Sequence, residues 1–325
     1  MTRHPRLSGA VLALTALAAM LPVSSATSAP PPAASRGEAV PRAVSLVGTE
    51  LRLEDDARVE LPAAAGRRPV LLGTAARGWV VASDYTFRLV RPDGRVRVIG
   101  KRNSSELYVT ELLSDDGRRV ISASTDQGDE FGIKIFDLQG RVVLNTFYSY
   151  IRGTVMDAGD GVVYVGGRGG LRTIAESTGA VTRLLRIPVG MVDLGHDTVF
   201  VGSVKHPWKV GPTSLSTPGK PDWRARFEPV ALSADGEYVV GREGTVRAMA
   251  DGKVVRRVPA PARRSDEAYR FLGWGAGHEV LIQTTAGKQE VLTSCPVPRG
   301  ACRRVGTTTG RVSLPTSSSG PFLQP

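Results

Sequence analysis

Cysteine, histidine and asparagine are all scarce here, and each scarcity excludes a chemistry. Two cysteines in 325 residues cannot build a disulfide-rich scaffold or a four-cysteine zinc site. Only His196, His206 and His278 lie beyond the N-terminal segment. There is no HExxH pair, no GxSxG elbow, no P-loop and no dinucleotide fingerprint. Aromatics are 6% of the chain, too few to interleave with basic residues as a nucleic-acid reader requires, so no nucleic-acid partner is expected. Long apolar runs are missing beyond the first thirty residues, so no membrane anchor is expected. Glycine and proline, in contrast, are abundant at 37 and 22. A chain breaker falls about every five or six residues, which suits short strands joined by turns better than helices. A hydrophobic content of 41% against 22% charged excludes a disordered chain.

The N-terminus reads as a targeting segment. Arg3 and Arg6 precede an apolar run from Leu7 to Leu21, closed by Pro22 and followed by Ser24, Ser25 and Ala26. A charged start, an apolar core and a small-x-small site make a secretory signal peptide over residues 1–26. No arginine pair and no cysteine mark it as a twin-arginine or lipoprotein signal. Residues 27–42, rich in Pro, Ala and Ser, read as a linker. Residues 316–325 read as a disordered tail without the hydrophobic stretch of a sorting signal. The expected product is an exported, soluble monomer.

The rest of the chain repeats. Gly78, Gly117, Gly161, Asp197, Gly236 and Gly277 each open an apolar run, at intervals of 36 to 44 residues. A second series of turn formers, from Asp56 through Gly94, Gly140, Gly179, Gly219 and Gly252 to Gly300, keeps the same average period. Within one unit, Tyr108 to Phe147, four β-prone runs (VTELLS, RRVISAS, GIKIF and RVVLNTF) are separated by turn formers. The second run is continuously apolar, as a strand buried on both faces should be. The fourth is charged, as an edge strand should be. A period near forty with four strands per unit predicts an all-β fold, the β-propeller. Six complete units run from Val70 to Val305. Three short strands before them and RVSLP, residues 311–315, after them predict a seventh blade closed by pairing of the two chain ends. Six blades with a frayed N-terminal hairpin is the alternative. The propeller is expected over residues 43–315.

The units SDDGRRVISAS and SADGEYVVGREG resemble blades of the TolB-like and WD-repeat-like propeller superfamily, sharing S-x-D-G before an apolar strand. The arginine-rich, lysine-poor composition is similar to that of secreted actinobacterial propellers of undefined role. The chemistry of some propeller families is nonetheless missing. S-A-D-G-E-Y lacks the spacing of a sialidase Asp box, and the four tryptophans share no blade position. Asparagine, a calcium ligand in propeller lactonases, occurs only at 103 and 145.

Cys295 and Cys302 flank the turn between the third and fourth strands of the last unit, where a hairpin brings Cβ atoms within disulfide range. In a four-stranded blade the turns between second and third strands share one end of the ring with the links between blades. The candidate ligand residues there are Asp84, Tyr85, Asp126, Asp129, Glu130, Arg168, His206, Trp208 and Arg242. The carboxylates of Asp126, Asp129 and Glu130 do not match an EF-hand, so no metal and no cofactor is expected. Formal charge is +11. Much of it falls on fourth strands, at Arg95, Arg97, Arg183, Arg186, Arg224, Arg226, Arg256, Arg257, Arg303 and Arg304. Such a belt attracts anionic surfaces in a salt-dependent way. The function expected is a secreted, non-enzymatic scaffold binding protein or an anionic cell-envelope polymer. The alternative is an extracytoplasmic hydrolase or lyase with its site at the central channel.

Overall fold

Turn formers every few residues cut the chain into strands of two to eight residues, each too short to bury its apolar side chains alone. The chain solves this by stacking sheets. The computed structural model describes residues 40–102, 108–125, 130–203, 205–258 and 271–315. The expected signal peptide, most of the expected linker, the expected tail and both Asp126 and Asp129 lie outside the described residues.

Seven antiparallel sheets of four strands follow one another in a ring. Blade 2 is typical, with strands Val70–Ala75, Gly78–Ser83, Thr86–Val90 and Val96–Lys101 in spatial order. Its second strand is buried throughout, while half of its fourth is exposed. Blades 3 to 7 repeat the plan from Tyr108–Leu113 to Arg303–Thr308. Blade 1 takes Ala43–Val47, Glu50–Leu53 and Arg58–Glu60 from the N-terminal side and Val312–Ser313 from the C-terminal side as its innermost strand. The closing register is Leu46 opposite Ser313 and Val47 opposite Val312. Val312–Ser313 also touches Val70–Ala75 on one side and Gln289–Pro296 on the other, which completes the circle. The first three strands are therefore a blade and not a frayed hairpin, and the architecture is a seven-bladed β-propeller. Among the described residues helix is confined to two single turns, Ala63–Ala65 and Ala276–His278.

The core is a series of layers between blades. Phe87 and Ile99 of blade 2 pack with Val120 and Phe136 of blade 3, and Ile121 and Ile133 of blade 3 pack with Val155 and Val163 of blade 4. Each fully buried Val, Leu or Phe contributes about 1.5–3 kcal/mol, so no blade holds its strands without its neighbours.

The S-x-D-G element is a turn device. Ser114 Oγ donates to Asp116 Oδ1 at 2.6 Å, and Ser233 Oγ to Asp235 Oδ1 at 2.6 Å. Each serine oxygen then accepts a main-chain N–H from the following strand, of Arg119 at 2.9 Å and Tyr238 at 3.0 Å. Gly117 and Gly236 close the turns at φ of +64° and +72°, where a side chain would be strained.

Candidate functional site

The two ends of the ring differ in kind. One end, the link end, carries the turns between second and third strands together with the chain passing from blade to blade. The other carries the turns between first and second strands, which crowd the axis because first strands are innermost.

At the link end, Asp84 and Tyr85 form the two-residue turn joining Gly78–Ser83 to Thr86–Val90, both at positive φ. Asp84 Oδ2 accepts from the Arg67 N–H at 3.2 Å and the Ser83 hydroxyl at 3.1 Å, so this carboxylate ties turn to link. Tyr85 projects and is 52% exposed. Its ring carries the Arg102 guanidinium at 4.6 Å, a cation–π contact. Arg102 also pairs with Glu111 at 3.1 Å. Burial pushes the Glu111 carboxyl up, and the opposing charge and hydrogen bond of Arg102 do not bring it back to the ordinary range. Glu130 is exposed at the start of the third strand of blade 3, and Arg168 is exposed in a turn of blade 4. The loop before Lys209–Ser214 of blade 5 carries His206 and Trp208, with Trp208 55% exposed. Arg242 of blade 6 pairs with Glu228 at 3.0 Å. These residues are spread over blades 2 to 6, and His206 lies two blades from Glu130. Tyr150, which sequence reasoning missed, follows the fourth strand of blade 3 and is 62% exposed. It stands edge-on to Tyr148 at 6.1 Å. Its signal in the sequence is SYI, the link that follows a fourth strand.

At the other end, acids and imidazoles do come together. Asp157 is buried and accepts from the N–H groups of Ala158 at 2.8 Å and Leu194 at 2.9 Å. Asp193 Oδ1 lies 2.9 Å from His196 Nδ1. The Asp115 N–H donates to the Ala158 carbonyl at 2.7 Å. Burial and the neighbouring Asp115 and Asp193 charges push Asp157 well above the usual carboxylate range. Burial and Asp193 likewise raise Asp115. Asp235, Glu237 and His278 form a second group, each offering one ligand atom within 4.8 Å of the others on an exposed surface. His278 Nε2 contacts Asp235 Oδ2, and the Tyr238 ring stands edge-on to the imidazole at 5.4 Å. The two histidines thus join blade 5 to blade 6 and blade 7 to blade 6. In the first cluster Asp157 ties blade 4 to blade 5, and His196 reaches the Ala234 carbonyl of blade 6.

No family model and no curated protein matches the chain. Solved structures do. The CNH domain of AfRom2 aligns at 11% identity over 77% of this chain and 94% of its own, with a TM-score of 0.51. KlHsv2, carrying a Gly-Ser linker in place of loop 6CD, aligns at 10% identity over 80% of this chain and 91% of its own, with a TM-score of 0.50. Pyrococcus horikoshii acylaminoacyl peptidase aligns at 10% identity over 80% of this chain but only 48% of its own, with a TM-score of 0.50. What is shared is the fold. Identities this low carry the propeller ring and nothing of what the neighbours do.

Among the described residues no helix is long and apolar enough to cross a membrane. Cys295 and Cys302 are joined by a disulfide across the hairpin of blade 7, with Cα atoms 4.2 Å apart.

Proposed function

We propose that the protein is an exported, non-enzymatic β-propeller that binds an anionic cell-envelope polymer at its link end, as a monomer and without nucleic acid. One observation carries this reading. Tyr85, Tyr150 and Trp208, each more than half exposed, stand at the same end of the ring. Exposed aromatic rings with a polar tip offer a flat apolar face, which suits the C–H face of a sugar. Arg102 puts a cation over the Tyr85 ring, and Arg168 is exposed in a turn at the same end. Without Arg3 and Arg6 of the expected signal peptide the formal charge of +11 becomes 11 − 2 = +9, which draws a polyanion in from a distance. The disulfide supports an oxidising compartment and hence export. The S-x-D-G units, similar to TolB-like and WD-repeat-like blades, accord with a scaffold. The hydrolase reading is weaker because the acid–histidine cluster is engaged in joining blades.

The test is retention of the full chain on isolated, protein-free cell-envelope polymer across a salt series. Retention should exceed that on a neutral polymer and should fall as salt rises. Joint Tyr85→Ala, Tyr150→Ala and Trp208→Ala replacement should weaken it at least tenfold without lowering the melting temperature. Equal retention on neutral polymer overturns the reading. So does capture that survives only while envelope proteins are present, which would assign a protein partner instead.

A further inference from the structure

The S-x-D-G turn occurs in two blades, and its two copies have opposite surroundings. In blade 3 it joins Tyr108–Leu113 to Arg119–Thr125, and in blade 6 it joins Pro229–Leu232 to Tyr238–Gly241. In both copies the serine hydroxyl and the N–H two residues on hold Oδ1 of the aspartate. The distances are 2.6 Å and 3.0 Å for Asp116, and 2.6 Å and 3.1 Å for Asp235. The turn thus fixes the carboxylate by one oxygen and leaves Oδ2 to other partners. In blade 3 the residue after the glycine is Arg118, whose guanidinium lies 3.9 Å from Asp116 Oδ2. In blade 6 that place is taken by Glu237, a like charge. Glu237 pairs with no lysine or arginine among the described residues.

What meets the two carboxylates comes from the next blade. His278, in the turn before Glu279–Ala286 of blade 7, brings Nε2 against Asp235 Oδ2. Asp235, Glu237 and His278 each offer one ligand atom within 4.8 Å of the others. The imidazole is walled by aromatic rings. Tyr238 stands edge-on to it at 5.4 Å, and Trp274 packs on Tyr238 at 6.4 Å while its indole N–H donates to the Ala231 carbonyl at 3.0 Å. Glu279 pairs with Arg303 at 3.1 Å and stays outside the group. Docking of blade 7 on blade 6 accounts for the bond between Asp235 and His278. It does not account for Glu237 beside them. One imidazole balances at most one carboxylate, so two carboxylates converging on it leave the group short of positive charge.

Two carboxylate oxygens and one imidazole nitrogen are a donor set for a divalent transition-metal ion. The imidazole favours zinc-class ions over Mg²⁺ and Ca²⁺, which take oxygen ligands. We infer that Asp235, Glu237 and His278 bind one divalent ion of the zinc class, which bridges blade 6 to blade 7 at the end of the ring opposite the link end. The two charges of the ion match the two carboxylates, with the imidazole neutral. Bonds of about 2.0–2.2 Å set tetrahedral ligand atoms about 3.3 Å apart. The ion therefore takes the place of the hydrogen bond between Asp235 and His278, whose side chains are each more than a third exposed and have room to part. Three protein ligands leave a fourth position to water or a small anion. The site is independent of the polymer reading, whose aromatic rings stand at the link end.

Calorimetric titration of the untagged, chelator-stripped full chain with zinc, magnesium and calcium chlorides tests it. One Zn²⁺ should bind per chain, at least a hundredfold more tightly than Mg²⁺ or Ca²⁺. His278→Gln keeps a hydrogen-bonding side chain toward Asp235 but removes the imidazole, and Glu237→Gln removes one charge. Each should weaken Zn²⁺ binding at least tenfold. Asp116→Asn, in the blade 3 copy of the turn, should leave it unchanged. Because the ion ties two blades of the folded chain, saturating Zn²⁺ should raise the melting temperature of the parent and not that of His278→Gln. Absence of Zn²⁺ binding, or equal binding of Mg²⁺, would overturn the site. So would Zn²⁺ binding untouched by both variants, which would place the ion elsewhere. A lower melting temperature in His278→Gln, with the parent indifferent to Zn²⁺, would reduce the group to a hydrogen bond between blades and sink the metal site.

Discussion

His196 Nδ1 lies 2.9 Å from Asp193 Oδ1, and the same carboxylate oxygen accepts the main-chain N–H of His196 at 3.0 Å. The far nitrogen, Nε2, sits 3.2 Å from the Ala234 carbonyl of the next blade, so one imidazole spans blades 5 and 6. Burial opposes charging the ring. The hydrogen bond and charge of Asp193, the Ala234 carbonyl and the Asp115 charge outweigh it, and the pKa rises above the ordinary 6.5. A group whose folded pKa exceeds its unfolded value stabilises fully below the unfolded value, and that share is lost as pH rises through the folded value. The melting temperature should therefore fall as pH is taken from about 6 to about 8. His196→Gln should flatten this slope. Thermal unfolding at constant ionic strength measures both, and an unchanged slope in the variant would assign the dependence elsewhere.

Asp157 is a buried acid in the first strand of blade 4. Its two oxygens hold the N–H groups of Ala158 and Leu194, and the second bond ties blade 4 to blade 5. Asp157→Ala leaves two buried donors unpaired while relieving repulsion from Asp115 and Asp193. Unpaired buried donors cost about 1–3 kcal/mol each, and the relief offsets part of it, so the net loss should be about 2–4 kcal/mol. Urea unfolding measures it directly. A loss under about 0.5 kcal/mol would show that repulsion and hydrogen bonding cancel at this site.

The ring was readable from periodicity because each blade must bury its second strand and expose its fourth. Those constraints act on residues near in sequence, as in GWVVAS and the arginine-bearing RVRVIGK. The S-x-D-G element was equally local, since its bonds run within six residues, as from Ser233 to Tyr238. Neighbours set by register were not readable. Ser122, Lys134 and Asn145 become neighbours only through cross-strand register, and a one-residue slip would send all three to the opposite face. The same holds for Asp115, Asp157 and Asp193, which come from three blades. His196 and His278 likewise reach blade 6, at the Ala234 carbonyl and the Asp235 carboxylate, because neighbouring blades bring their first turns together at the axis.

The ring's closure depends on a two-residue strand. The Leu71 N–H donates to Ser313 Oγ at 2.9 Å, so the C-terminal strand of blade 1 also caps a buried donor in blade 2. Ser313→Ala removes the acceptor and keeps the strand. The expected cost is about 1–3 kcal/mol, the penalty of an unsatisfied buried N–H. Removing residues 311–315 should cost much more, because Leu46 and Val47 lose their pairing partners and blade 1 gains an open edge. Denaturant unfolding of the serine variant and light scattering of the truncated chain measure the two effects. A truncated chain as stable and monodisperse as the parent would show that blade 1 closes without its innermost strand.

The blade 7 hairpin is held twice. The Cys295–Cys302 bridge closes an eight-residue loop, for which chain entropy gives about 2.5 kcal/mol. Arg256 of blade 6 donates to the Pro296 and Gly300 carbonyls across the blade boundary, and to Cys302 Sγ of the bridge itself at 3.4 Å. With the bridge intact the hairpin stays formed, so Arg256→Ala should remove only the bonds of Arg256 to the two carbonyls and to Cys302 Sγ. In a Cys295→Ser, Cys302→Ser background the same bonds must also order the loop against its own entropy, and their loss should cost more. A double-mutant cycle should accordingly show coupling above about 0.5 kcal/mol. Strict additivity would mean that the hairpin holds its shape without either restraint, leaving Pro296 and Pro298 to confine the loop through their fixed φ.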